Sequence, residues 1–258
     1  MAITTPAGSS RRDFIRLTGT LGMAAGLAAS LAACGGKGTT SGGAKTSGSA
    51  MATDQEVTHK DGVITAGISY ELGTNGYDPM TTSSALTVAA NWHTLEGLTE
   101  LHPATREVYA ALASEMPKKV DDTTYEVALR KDAKFSDGAA VTADDVVFSF
   151  TRVLDPANKS LYSQFLPFID KVEAKDASTV TIKLKYAFSL VAERLSVVKI
   201  VPKAIVEADA KAFDMNPTGS GPYKMTDNGA ASQKVVFERN DSYNGPRPAL
   251  AKSMTWQV

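Results

Sequence analysis

The sequence predicts a mixed α/β domain in which antiparallel hairpins are prominent, and three segments carry that prediction. Residues 124–130 alternate, with Tyr125, Val127 and Leu129 on one face and mainly polar groups on the other, the pattern of a half-buried strand. In 142–154, Thr142 and Asp145 form a capping-box pattern with the shorter acid at N3. Val146, Phe150 and Val153 then recur at i, i+4 and i+7, so a helix is expected over 143–154, stopped by Asp155-Pro156. Residues 171–175 and 179–185 pair about Asp176-Ala177-Ser178, with Val180, Ile182 and Leu184 alternating against Thr179, Thr181, Lys183 and Lys185. No internal repeat and no regular strand–helix alternation is visible, which argues against a βαβ array.

The remaining elements follow in chain order. The β-rich run at 63–68 opens the ordered part, and Gly73, Asn75, Gly76 and Pro79 mark a loop after it. Leu86, Ala89, Ala90 and His93 fall at helical spacing, so a helix is expected over 84–95, with Gly97 placed to end it. Residues 98–101 and 107–109 read as a hairpin about His102-Pro103-Ala104-Thr105. Later strands are expected at 234–238 and 253–258.

Residues 1–33 read as an address. Ser10-Arg11-Arg12-Asp13-Phe14-Ile15-Arg16 resembles the twin-arginine export consensus, with Arg11 and Arg12 as its paired arginines. The apolar run at 17–33 is diluted by Thr18, Gly19, Thr20, Gly22, Gly26 and Ser30, which suits a signal segment better than a bilayer span. Leu31-Ala32-Ala33-Cys34 resembles a lipoprotein box, and Cys34 is the single cysteine of the chain; the alternative is a plain signal peptide followed by a chance cysteine. Lipid on Cys34 would tether the protein to the outer face of the bacterial cytoplasmic membrane. Residues 34–60 are Gly, Ser, Thr, Ala and Lys with almost no large apolar group, so they read as a flexible tether ahead of a domain over 61–258.

Charge and chemistry narrow the function. The formal charge is −1, and removing residues 1–33 takes away three Arg and one Asp, leaving −3, so no basic field is present to draw nucleic acid. With Cys34 lipidated, no thiol remains for a disulfide, a metal site or a nucleophile. His59, His93 and His102 show no metal-ligand spacing, so no metal and no cofactor is expected. No nucleophile elbow, P-loop or dinucleotide fingerprint follows a strand, and the acid pairs Asp121-Asp122 and Asp144-Asp145 suit a turn and a helix N-terminus. An enzyme, such as a secreted hydrolase, is not expected.

Three segments resemble the family 5 solute-binding proteins, the dipeptide, oligopeptide and nickel binders of ABC importers. They are Leu95-Glu96-Gly97-Leu98-Thr99-Glu100-Leu101 with Ala111-Leu112-Ala113; the run from Tyr125 through Phe135-Ser136-Asp137-Gly138 to Val146-Val147-Phe148-Ser149-Phe150; and Gly219-Ser220-Gly221-Pro222-Tyr223-Lys224 with Phe237-Glu238-Arg239-Asn240 and Tyr243. Departures at Tyr109-Ala110, Met116 and Asn244 read as packing positions. The resemblance implies a class II periplasmic-binding-protein fold. It also implies a monomeric extracytoplasmic binder that holds a peptide or other small solute between two lobes and hands it to ABC permease subunits. Relatives continue into a second lobe, so this chain is expected to hold the first lobe alone, the other reading being a structural lipoprotein that binds nothing.

The residues themselves suggest two places for the ligand. The loop after the first strand holds Glu71, Asn75, Tyr77 and Asp78, at the carboxyl end of a strand where open sheets place ligands; a merely solvated loop is the other reading. Gly219, Ser220, Gly221, Pro222 and Tyr223 force a tight turn where backbone approaches either a ligand or the other lobe.

Overall fold

The computed structural model describes residues 61–68 and 76–257. Arg11, Arg12 and Cys34, the 34–60 tether, and the loop residues Glu71 and Asn75 lie outside the described residues.

Two four-stranded sheets organise the rest. The first contains β1 (Val63–Gly67), β8 (Tyr223–Asn228), β9 (Lys234–Arg239) and β10 (Ser253–Gln257) in the order β1-β10-β9-β8. Its strands β1 and β10 meet in parallel, Val63 opposite Ser253 and Gly67 opposite Gln257, while β10, β9 and β8 run antiparallel. Helix α1 (Ala85–Thr94) packs on this sheet, placing Leu86 and Ala90 against Tyr223, Met225, Val235, Phe237, Met254 and Trp256. The same helix also buries Thr87, Asn91 and Thr94, while Trp92 faces outward. Thr87 Oγ1 donates to the Gly76 carbonyl at 2.9 Å, which draws the 76–82 segment onto the helix.

The second sheet is fully antiparallel, with β4 (Lys118–Lys119), β5 (Thr124–Ala128), β6 (Ile169–Asp176) and β7 (Thr179–Leu184) in the order β4-β5-β7-β6. Its apolar face, Val127, Val172, Val180, Ile182 and Leu184, is covered by α2 (Ala143–Leu154), whose Val146 and Phe150 are fully buried. The capping box at the start of α2 is complete: Thr142 Oγ1 accepts from Asp145 N and the Asp145 carboxylate accepts from Thr142 N at 2.9 Å. Asp145 Oδ1 accepts from Lys203 N at 2.9 Å and Ser149 Oγ from Val201 N at 3.0 Å, so the polar side of α2 fixes the 201–203 segment. A small hairpin, β2 (Thr99–Leu101) with β3 (Val108–Ala110), stands apart from both sheets.

Three short helices, α3 (Val191–Leu195), α4 (Lys203–Ala208) and α5 (Ala210–Met215), complete the described elements with two 3-10 turns at Pro156–Asn158 and Ser163–Phe165. None of these, nor β4 and β8, has a period long enough in the sequence to announce itself. One boundary differs from expectation. Helix α1 ends at Thr94 with Leu95 extended, three residues before Gly97. Gly97 is required for another reason: a Cβ there would stand 2.8 Å from the Thr99 carbonyl and 3.1 Å from that of Val198.

The burial of Phe150 and the cap at Thr142 set two different costs. Phe150→Ala is expected to lower stability by about 3 to 5 kcal/mol through loss of transfer energy and a residual cavity. Thr142→Ala is expected to cost about 1 kcal/mol as a lost cap. Urea unfolding of both variants checks this, and equal small effects would contradict the placement of α2 on its sheet.

Candidate functional site

The 76–82 segment is held from three sides. Gly76 has φ +76°, a backbone conformation that favours glycine, and the Asp214 side chain packs directly against it. Tyr77 N donates to the Asp214 carbonyl at 2.7 Å and Asp78 N to Asp214 Oδ1 at 2.8 Å. Asp78 is buried, accepts from Met80 N at 2.9 Å through Oδ1, and pairs through Oδ2 with the Arg152 guanidinium at 2.6 Å. Ser160 Oγ donates to the Met80 carbonyl at 3.2 Å and Tyr162 Oη to the Thr82 carbonyl at 3.1 Å. Between this segment, the end of α2 and α4–α5 lies an open cavity of about 430 Å³, lined among others by Asp78, Arg152, Val206, Lys211 and Asp214.

Around the Gly219–Tyr223 turn the geometry is one of close backbone contact. A Cβ at Gly219 would lie 2.0 Å from the Thr94 carbonyl oxygen, and one at Gly221 2.6 Å from the carbonyl of His93. Gly221 N donates to the Thr94 carbonyl at 2.9 Å, Ser136 N to that of Gly219 at 2.8 Å, and Asn240 holds the Gly221 and Pro222 carbonyls through Nδ2 and N. Beside the turn, Glu96 is buried and pairs with Arg130 at 3.0 Å, while Tyr243 Oη donates to it at 3.0 Å. Burial pushes the Glu96 carboxyl up, opposed by the Arg130 charge and hydrogen bond. Burial and the Glu96 charge push the Tyr243 phenol well above its ordinary value. Ser220 Oγ is buried without a good hydrogen bond, although it lies close enough to Glu96 to favour that group's charged form.

The sequence-named residues therefore fall into two groups. Tyr77 is in the core on the first sheet, its Oη donating to the Asn228 carbonyl at 2.8 Å, and burial with the Asp227 charge pushes its phenol up to about 12. Tyr223 is in the same core and donates to the Ala251 carbonyl at 3.2 Å. Ser220 and Gly221 are buried beneath α1, Pro222 is half-buried, and Asp78 lines the cavity. The open choice for the glycine turn thus has a third answer, since the surface it approaches is the end of α1 within the same domain. Arg152, Lys211 and Asp214 were not singled out by sequence; they join Asp78 across separations of up to 136 residues, with no local pattern to mark them. Asn244 proves to be a hydrogen-bonding residue rather than a packing one, accepting from Arg130 Nε at 3.0 Å and donating to the Lys131 carbonyl at 3.0 Å, and Met116 is largely exposed.

Comparison with known proteins gives this arrangement its place. The model of the bacterial extracellular solute-binding proteins, family 5 (middle region), matches residues 107–258. The chain belongs to that family. Among curated family relatives, Protein XP55 of Streptomyces lividans is 34% identical over 156 residues, which are 59% of this chain and 28% of that protein. The periplasmic oligopeptide-binding protein OppA of Haemophilus influenzae is 27% identical over 201 residues, 70% of this chain and 37% of that protein. The solved structure of the oligopeptide-binding protein AppA from Bacillus subtilis, in complex with a nonapeptide, superposes with a TM-score of 0.68 at 26% identity, over 78% of this chain and 40% of that one. The mixed α/β fold is thus that of class II periplasmic binding proteins, and the chain spans about two fifths or less of the length of these relatives.

Two glycine substitutions separate packing from backbone conformation. Gly221→Ala forces a Cβ into the α1 backbone and is expected to cost about 3 kcal/mol, the upper end for overpacking. Gly138 has φ +94° with open space around it, so Gly138→Ala is expected to cost about 1 to 2 kcal/mol from the left-handed conformation alone. Equal unfolding midpoints for the two variants in a denaturant series would contradict the close crossing at Thr94.

Proposed function

We propose that this chain is the solute-binding part of an ABC importer that collects oligopeptides, dipeptides or related small solutes outside the cytoplasm. The observation that carries the reading is the family match over 107–258. It is supported by the oligopeptide binders OppA and AppA and by the glutathione-binding protein of Escherichia coli O157:H7, 29% identical over 200 residues. In this reading the protein is exported by Arg11 and Arg12, held at the membrane by lipid on Cys34, and works as a monomer with the permease subunits. The 71–79 loop, with Glu71, Asn75 and the backbone about Tyr77 and Asp78, faces the solute from this lobe. The Ser220–Tyr223 turn packs on the end of α1. No catalytic step is assigned.

The anchor has a direct test. Cys34→Ala is expected to move the protein from the detergent phase to the aqueous phase after Triton X-114 separation, and Arg11→Lys with Arg12→Lys to stop its export. Detergent partitioning unchanged by Cys34→Ala would refute lipid attachment.

Binding has its own test. A solute enclosed between two lobes loses its water only when both close on it, so most of the dry contact area needs both. This chain alone is expected to bind a pool of tri- to pentapeptides with Kd in the high-micromolar to millimolar range, roughly −4 to −6 kcal/mol by calorimetry. Sub-micromolar binding by the monomer would place a complete site within these residues.

A further inference from the structure

The loop between β9 and β10 leaves the first sheet and grips a residue of the second. The two sheets keep separate apolar cores, with Val235, Phe237 and Trp256 in one and Val127, Val180 and Ile182 in the other. Arg130 follows β5 of the second sheet, and its Nε donates to Asn244 Oδ1 at 3.0 Å while its guanidinium lies over the Tyr243 ring at 5.5 Å. Asn244 Nδ2 donates to the Lys131 carbonyl at 3.0 Å. Tyr243 Oη donates at 3.0 Å to Glu96, which follows α1 and pairs with Arg130. Among the described residues, 241–248 place no side chain in any apolar core, and Asn244 is exposed. A segment held by polar contacts at the surface, with no buried apolar side chain, opens at lower free energy than the strands it bridges.

We propose that the β9–β10 loop is a latch: closed on Arg130, Lys131 and Glu96 it makes the two sheets unfold as one unit, and open it lets the first sheet unfold ahead of the second. Residues 243 and 244 are neighbours in the chain, so one opening removes the Asn244 acceptor, the Tyr243 donor and the Tyr243 ring face together. Glu96 is buried, and a buried ion pair keeps its hold only while its remaining donors and acceptors are filled. With the latch open, water replaces the lost partners and the link between residues 96 and 130 weakens. The tie left beside it is a single backbone hydrogen bond, from Ser136 N to the Gly219 carbonyl at 2.8 Å. The first sheet yields before the second because its core is the smaller of the two among the described residues, and its edge strand β1 exposes Val63 and Ile64. The inference goes beyond the proposed function and rests on no part of it, since none of the latch residues lines the cavity beside Asp78.

The test is urea unfolding of the whole chain followed by two probes. Both tryptophans belong to the first sheet and its helix, Trp256 in the core and Trp92 on α1, so fluorescence reads that part alone. The amide NMR signals of Val180 and Ile182 in β7 read the second sheet. In the unaltered chain the two transitions are expected to coincide. In the double variant Tyr243→Phe with Asn244→Ala, the fluorescence midpoint is expected to fall below the β7 midpoint by roughly 0.5 to 1.4 M urea. That is a tenfold difference in unfolding constant, about 1.4 kcal/mol, at a slope of about 1 to 3 kcal/mol per molar. Thr142→Ala removes the cap of α2 and leaves the latch intact, so it is expected to lower both midpoints together, which separates a released latch from a general loss of stability. Should the double variant not fold, Asn244→Ala alone, at an exposed position, is expected to give a smaller split in the same direction. Transitions already separate in the unaltered chain, coincident in the folded latch variant, or split as widely by Thr142→Ala would overturn the latch. Failure of both latch variants to fold would overturn it as well, because a latch opens without the loss of either sheet.

Discussion

Two sheets with separate apolar cores share one crossing of backbone, and the rest of the domain depends on it. Gly219 and Gly221 lie so close to His93, Thr94 and Leu95 that any side chain at either position would meet main-chain atoms. Main chain cannot give way as a flexible side chain can, so the crossing fixes where β8 begins relative to α1. The Ser136–Gly219 hydrogen bond then ties the turn after β5 to the same point. Both sheets are thereby referred to one short stretch of chain, and the segments that run between them inherit their positions from it.

Polar burial around that crossing is a matter of placement more than of net stability. Taking Glu96 and Arg130 out of water costs several kcal/mol for each ion, and their attraction returns it only when the remaining donors and acceptors are filled. Here most are filled: Arg130 also reaches Asn244 and the Ala111 carbonyl, and Glu96 also accepts from Tyr243. Four segments of chain meet at this pair, through residues 96, 111, 130 and 243–244. A second buried pair, Lys199 with Glu100, fastens the 198–201 segment to the small hairpin, and Glu100 also accepts from Gly97 N at 2.7 Å. Removing one partner from either pair would strand a charge, which is why such pairs specify a single arrangement of the segments they join.

How much of this was legible depends on whether the signal was local. Helix α2 was readable in both bounds, because its cap, its stripe and its stop all lie within fifteen residues and all serve the same packing. The β6–β7 hairpin was readable for the same reason. The parallel pairing of β1 with β10 was not, since Val63 and Ser253 carry no mark of one another. Helices α3, α4 and α5 are five or six residues long, too short for a period to rise above composition. At the candidate site, Asp78 was named as a loop acid but its partners were not, because Arg152 sits on a helix read for its apolar face and Asp214 at the end of a helix not seen at all.

The motifs that reveal the family are spent on packing, and the structure gives the physical reason. The run from Tyr125 to Phe150 contributes a sheet, a turn held by Asp137 and Gly138, and a capped helix, and its large apolar side chains are committed to the core. A buried side chain with a filled coordination shell has nothing left to offer a ligand. Groups with spare capacity occur instead where segments converge without a common core, as Arg152, Lys211 and Asp214 do beside the 76–82 backbone. The fold is set by buried contacts that fill nearly every polar group: among the described residues only Asn91 Oδ1 and Ser220 Oγ are buried with no hydrogen-bond partner.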